Sequence, residues 1–172
     1  GYLEAFSGSG LTPVAFEIEA QSIARAIVPD GDAHSYMVVD FGRTRTGITV
    51  ISEGSAEFTS TILVGGDSLT DAIAKNMKIS YEEAEKIKRE RGISGTAPSD
   101  DLSLALVSTV SILRDEIARQ QAYWQTHSDA YGRKRTAIQK IYLCGGDSNL
   151  AGCVEYLAEG LSVPVELANT LV

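Results

Sequence analysis

Tyr36-Met37-Val38-Val39-Asp40-Phe41-Gly42-Arg43-Thr44-Arg45-Thr46 carries the decisive pattern of this chain. Tyr36 to Phe41 is nearly all apolar, the signature of a strand covered on both faces. Gly42-Arg43-Thr44 reads as a turn. Thr46 to Ile51 then alternates apolar and polar, and so does Phe58 to Leu63 after a second turn at Glu53-Gly54-Ser55. Three runs so closely spaced predict an antiparallel meander. A buried strand that delivers a carboxylate, a glycine turn and then hydroxyls suits a phosphate–metal site. The glycine admits backbone amides to phosphate oxygens, the hydroxyls donate, and Asp40 can hold Mg²⁺ directly or through water. Taken alone, the same residues also fit an ordinary hairpin turn with solvated polar side chains.

Upstream, Pro13 to Ile18 alternates like a strand, and Glu19 to Ile27 carries Ala20, Ile23, Ala24 and Ile27 at helical spacing. Residues 2–9 read as the tail of a helix stopped by Gly8 and Gly10. Pro29-Asp30-Gly31-Asp32 breaks the chain and marks the expected domain boundary. Downstream, Gly65-Gly66-Asp67-Ser68 leads into a helix with Leu69, Ile73 and Met77 in register. Ser80-Tyr81-Glu82-Glu83 is a capping box opening a helix to about Arg91, stopped by Gly92. Residues 93–98 read as a loop. One long helix is predicted from about Asp100 to Tyr131, its apolar stripe marked by Leu102, Leu106, Val110, Leu113, Ile117 and Trp124. A strand through Ile141 to Cys144, a glycine turn, a helix from Leu150 to Leu157 and a strand from Val163 to Leu167 close the pattern.

The chain has 172 residues, 44% hydrophobic, with 23 acidic and 15 basic side chains and a net charge of −8. That composition suits a globular core and excludes a disordered chain. The acidic balance argues against a general nucleic-acid or anionic-membrane binder, since polyphosphate affinity needs excess cations. A single nucleotide remains compatible with it. No apolar run reaches the roughly 18 residues of a membrane span, and the first residues show no secretory pattern. Cys144 and Cys153 match no zinc or disulfide spacing. His34 and His127 share no ligand spacing and read as non-metal.

Two further constellations carry candidate chemistry. Leu143-Cys144-Gly145-Gly146-Asp147-Ser148-Asn149 ends a strand in two glycines before a helix, a bend that permits close approach by a flat ring or a phosphate, or simply an ordinary capped turn. Glu85 and Lys88 share a helix face at i, i+3 and could bracket a ribose; an exposed helix ion pair is the plainer reading. Arg133-Lys134-Arg135 reads as cations complementing the end of the long helix, or as a dock for an acidic partner. Trp124 and Tyr123 read as core before partner contact.

The order of these pieces resembles the actin-like ATPase superfamily, with its α/β, ribonuclease-H-like fold: a mixed sheet with an antiparallel three-strand meander flanked by helices, plus an inserted helical portion. There a DxGxxxT strand-turn is the second phosphate motif and a strand-GG-helix the adenosine motif. Within it the chain is similar to the PilM family of type IV pilus assembly. The matching words are Pro13-Val14-Ala15-Phe16-Glu17-Ile18-Glu19-Ala20, Gly65-Gly66-Asp67-Ser68-Leu69-Thr70, Ala84-Glu85-Lys86-Ile87-Lys88-Arg89 and Val163-Pro164-Val165-Glu166-Leu167-Ala168-Asn169.

The resemblance implies roles. Asp40 faces the Mg²⁺; Gly42, Thr44 and Thr46 line the β- and γ-phosphates; Glu85 and Lys88 flank ribose and adenine. Gly145, Gly146 and Asp147 contact the adenosine side with Asn149 nearby, and Gly65 and Gly66 form a bend at the nucleotide floor. It implies ATP and Mg²⁺ as ligands of the full-length protein, with slow or absent hydrolysis, no nucleic acid, and a cytoplasmic place beside the inner membrane. The implied partner is a PilN-like tail, held mainly by the first domain; self-association stays open. The first phosphate motif, an inserted subdomain and a terminal helix have no counterpart in these residues. Residues 1–30 are therefore expected to be the end of a first actin-like domain, and residues 31–172 a second one lacking its final helix. An FtsA-like cytoskeletal protein and a sugar or acyl kinase of the same superfamily are the alternatives.

Overall fold

The computed structural model describes residues 1–93, 101–129 and 131–169. Its centre is the predicted meander. Strands β1 (Ser35–Phe41), β2 (Thr46–Ser52) and β3 (Ser55–Ile62) pair antiparallel, Asp40 opposite Gly47 and Phe41 opposite Thr46. Strand β4 (Ile138–Cys144) lies parallel to β1 on its other side, and β5 (Val165–Leu167) parallel to β4. The sheet order is β3-β2-β1-β4-β5, a mixed five-stranded sheet. The apolar run of β1 is explained by this central position: Met37, Val39 and Phe41 enter one core and Val38 another.

Helices supply both covers. The short α1 (Tyr2–Ala5) is exposed, while α2 (Glu19–Ile27) lays Ala24 and Ile27 against Val38 and Ile51. The opposite face carries α3 (Gly66–Met77), α4 (Tyr81–Arg91), α5 (Asp101–Thr126) and α6 (Cys153–Gly160). The predicted stripe of α5 is the spine of this larger core: Leu106, Val110, Leu113 and Ile117 are wholly buried, and Leu102 and Trp124 nearly so. The capping box of α4 forms as read, with the Ser80 hydroxyl accepting from the Glu83 amide and the Glu83 carboxylate accepting from the Ser80 amide at 3.1 Å.

Several boundaries differ from the sequence reading, among them the first helix, which ends at Ala5 rather than near Gly8, and β3, which starts at Ser55 rather than Phe58 and ends at Ile62. Pro13 to Ile18 forms no strand; Val14, Phe16 and Ile18 are exposed, because no strand among the described residues pairs with them. The long helix ends at Thr126 rather than near Tyr131. Past it, the Asp129 carboxylate accepts from the amides of Tyr131 and Arg133, each at 2.8 Å, and closes a tight Ser128–Lys134 bridge. A side chain that offers the backbone such bonds competes with helix. The cations at 133–135 are thus not in the last helical turn: Arg133 pairs with Asp129, and Arg135 stacks over Trp124 at 4.3 Å. Trp124 is core, whereas Tyr123 is exposed and stacks on His127. The helix read from Leu150 starts at Cys153, because Gly152 before it takes a left-handed φ of +79° that no helix continues through. The last strand begins at Val165; Pro164 offers its carbonyl to the Ile141 amide. Of the loop read over 93–98, residues 94–98 lie outside the described residues, as does Asp100.

Candidate functional site

Two glycines bring α3 onto the β1–β2 turn. A Cβ on Gly65 would lie 2.5 Å from the Arg43 carbonyl oxygen, and one on Gly66 would meet the Asp147 carboxylate at 2.0–2.5 Å. The first amides of α3 are consumed there: Gly66 donates to the Gly42 carbonyl at 3.1 Å and Asp67 to the Arg43 carbonyl at 2.8 Å. Thr46 is fully buried and its hydroxyl donates to the Val64 carbonyl at 2.7 Å, so it braces this bend rather than facing open space. Thr44 stands exposed at the tip of the turn, next to half-buried Gly42.

Beside this bend opens a cleft of about 680 Å³. Its wall from α4 presents Tyr81, Glu85, Lys88 and Arg89; its far wall is Gly146, Asp147 and Asn149 from the turn after β4. Lys88 is the surprise: an i, i+3 partner on a polar helix, yet only 3% exposed. Its ammonium meets Glu85 Oε2 at 2.8 Å, Asp147 Oδ1 at 3.0 Å and the Gly66 carbonyl at 3.1 Å, three acceptors for three protons. The plain reading of Glu85 and Lys88 as an exposed surface pair does not hold. Burial works to raise the Glu85 carboxyl, but bonds from Lys88, the Thr70 hydroxyl (2.6 Å) and Arg89 (2.7 Å) outweigh it and hold it at about 2. Glu85 is therefore an acceptor at any physiological pH.

The Gly145-Gly146 pair divides its work. Gly145 has φ +87° and sits against the Asp40 carboxylate and the Phe41 carbonyl, each 2.5 Å from where a Cβ would be. Gly146 meets nothing within 4 Å and leaves open space on the cleft side. Asn149 is exposed at the rim.

Asp40 lies on the other face of the sheet. It lines a second hollow with Glu19 from the first turn of α2 and with Gly47. Burial and the Glu19 charge raise the Asp40 carboxyl, against the pull of Arg45 and a bond from Cys144. Cys144 itself is pushed up to about 12 by burial and the Asp40 and Glu19 charges, so it is no thiolate nucleophile. A divalent cation fits this hollow chemically. Two carboxylates that repel one another are hard oxygen donors of the kind Mg²⁺ takes, although no third His, Cys, Asp or Glu among the described residues joins them, so solvent or phosphate oxygens would complete the set. The predicted residues are thus gathered at one end of the sheet but on two faces, Glu85, Lys88, Gly66, Gly146, Asp147 and Asn149 around the cleft and Asp40 across the sheet edge from them.

Sequence reasoning missed Asp67, Tyr81, Thr70 and Glu19. The Asp67 carboxylate accepts from the Tyr81 hydroxyl and from Arg43 Nε at 3.0 Å. These bonds, Tyr81 first and Arg43 next, hold Asp67 below the usual carboxylate range. Only the helical spacing of Tyr81 and Glu85 signalled a shared face in advance.

Comparison with known proteins bears on the fold and the family. The chain is 28% identical over 118 residues to the ethanolamine utilization protein EutJ of Escherichia coli K12, covering 69% of this chain and 36% of that protein. Among solved structures, the PilM–PilN type IV pilus biogenesis complex superposes with a TM-score of 0.75 at 23% identity, over 98% of this chain and 46% of that one. MreB 5 of Spiroplasma citri bound to AMPPNP gives 0.74 at 17% identity, over 96% and 57%. The chain thus spans about a third of that curated relative and about half of those solved chains. The fold is actin-like. Residues 4–172 match the family model of the type IV pilus assembly protein PilM. With that match over nearly its whole length, the chain belongs to the PilM family of the actin-like ATPase superfamily.

Proposed function

We propose that this chain forms one wall of an ATP-binding cleft in a PilM-like scaffold of type IV pilus assembly, on the cytoplasmic side of the inner membrane. The observation that carries the reading is the buried Lys88 cluster. It locks Glu85 and Asp147 into fixed positions on facing walls of a cleft that Gly146 leaves open. A flat ring would lie in the open space beside Gly146, and the Glu85 carboxylate would accept from ribose hydroxyls with the capacity that Lys88, Thr70 and Arg89 leave it. Asp40, with Glu19 beside it, would hold Mg²⁺ at the phosphate end; the metal would neutralise phosphate charge there. That MreB 5 of Spiroplasma citri was solved with AMPPNP supports a nucleotide as ligand of this fold.

The chemistry expected is binding with little or no hydrolysis. For the full protein, slow or absent hydrolysis is what the family likeness implies. Residues 1–172 supply one wall, which by itself neither encloses a triphosphate nor excludes water, so this length alone should bind ATP weakly and not cleave it. Residues 1–30 are assigned to the end of a first domain and residues 31–172 to a second, with α2, packed against Val38 and Ile51, as the link between them. In the PilM–PilN complex the partner is PilN; a PilN-like tail is the proposed partner here, bound mainly by the first domain.

Calorimetric titration with MgATP tests this. The protein at full natural length should bind, and residues 1–172 alone weakly or not at all. Low-micromolar affinity of the short chain would contradict the one-wall reading, and no binding by the full protein would contradict the cleft itself. In a pull-down, residues 1–172 should not retain a PilN-like tail that the full protein captures.

A further inference from the structure

The cleft is electrically closed on itself. Arg43, Lys88 and Arg89 stand against Asp67, Glu85 and Asp147, so a polyphosphate entering it finds no surplus positive charge. The first amides of α3 are not available to it either, because they already serve the Gly42 and Arg43 carbonyls. Beside the metal proposed at Asp40, a side-chain cation of the cleft lining reaches a phosphate only by leaving its carboxylate.

The three cations differ in what release would cost. Lys88 is buried with every proton spent, and freeing it would strand two carboxylates. Arg89 is exposed, but it is one of the three donors that hold Glu85 ionised. Arg43 is 78% exposed and bonds Asp67 through Nε. If Arg43 leaves, Asp67 keeps the Tyr81 hydroxyl and its place in the first turn of α3, where a carboxylate is favoured. Arg43 also rises from the turn whose tip bears Thr44.

We infer that Arg43 is a reserve cation for the phosphate groups of the nucleotide, parked on Asp67 while the cleft is empty and exchanged onto a phosphate oxygen when it fills. Tyr81 keeps Asp67 in place during the exchange. This rests on the nucleotide reading above.

The test is calorimetry on the full-length protein with MgATP, MgADP and adenosine, for wild type, Arg43→Met, Arg43→Lys and Asp67→Asn. Arg43→Met should weaken MgATP and MgADP about tenfold, the size of one charge-assisted hydrogen bond, and leave adenosine unchanged. Arg43→Lys should recover part of the loss. Asp67→Asn, which frees Arg43, should tighten MgATP by about threefold, a fraction of an ion pair's worth. The inference is overturned if Arg43→Met binds MgATP like wild type, if its adenosine affinity falls in parallel, or if Asp67→Asn gives no tightening. Wild-type protein that binds none of the three ligands overturns the cleft reading instead, a separate outcome.

Discussion

Lys88 Nζ and Asp147 Oδ1 stand 3.0 Å apart with only 4% and 13% of their side chains exposed, joining α4 to the turn after β4. The pair sits within the cluster that also takes in Glu85 and the Gly66 carbonyl. Replacing Lys88 by Met leaves two partly buried carboxylates, Asp147 and Glu85, without their cation. Loss of one member of a buried pair costs roughly 3–5 kcal/mol, and the lower end is expected because Glu85 retains Arg89 and some solvent. Urea unfolding of Lys88→Met should show that loss. A change under about 1 kcal/mol would mean that the pair is not buried in solution.

Gly145 and Gly146 adjoin in sequence yet should respond oppositely to alanine. At Gly145 the left-handed φ alone costs about 1–2 kcal/mol for an L side chain. The new methyl would also press on the Asp40 carboxylate and the Phe41 carbonyl. Gly146→Ala meets open space, and its stability should change by less than about 1 kcal/mol. The informative reading for Gly146→Ala is ligand affinity: a methyl in the open part of the cleft should weaken MgATP while the melting temperature stays put.

How much of this was legible depended on whether a signal was local. The β1–β3 meander, the α4 cap and the α5 stripe follow from residues close together in sequence, and they are found, β3 beginning three residues before its reading. Pro13 to Ile18 alternates correctly for a strand but pairs with none among the described residues, and periodicity does not report a partner. The α5 end moved because Asp129 captured two amides, a short-range competition hidden inside a helical pattern. Glu85 and Lys88 were chosen correctly as neighbours, but the burial of Lys88 was not legible. It comes from Gly66 and Asp147, which the fold brings in from distant parts of the chain. Asp67 and Tyr81 were missed for the same reason: their bond spans two helices.

The α4 cap offers a clean measure of local stability, because Ser80 is outside the cleft wall. Ser80→Ala removes the acceptor of the Glu83 amide and breaks the reciprocal box. Loss of such a cap costs about 0.5–2 kcal/mol. Equilibrium unfolding should show it, with MgATP affinity of the full-length protein unaltered. Ser80→Asp, which restores an acceptor, should recover most of the loss; failure to do so would assign the effect to something other than capping.

Glu85 also gives a pH signature whose sign is fixed. Its carboxyl is held at about 2, against an ordinary value of 4.5. A depressed carboxyl contributes stability that is complete above the unfolded value and lost as pH falls toward the folded one. Stability from Glu85 should therefore be constant above about pH 5.5 and decline from there down to about pH 2. Asp67 and Asp129, also held low, add to the same acid slope. Asp40 runs the other way: raised by burial and by Glu19, its ionisation costs stability as pH rises through its folded value. Urea midpoints between pH 3 and 7 should fall on acidification for wild type, and Glu85→Gln should show a shallower decline on a lower plateau. Equal slopes in the two proteins would place the Glu85 carboxylate in solvent, apart from Lys88.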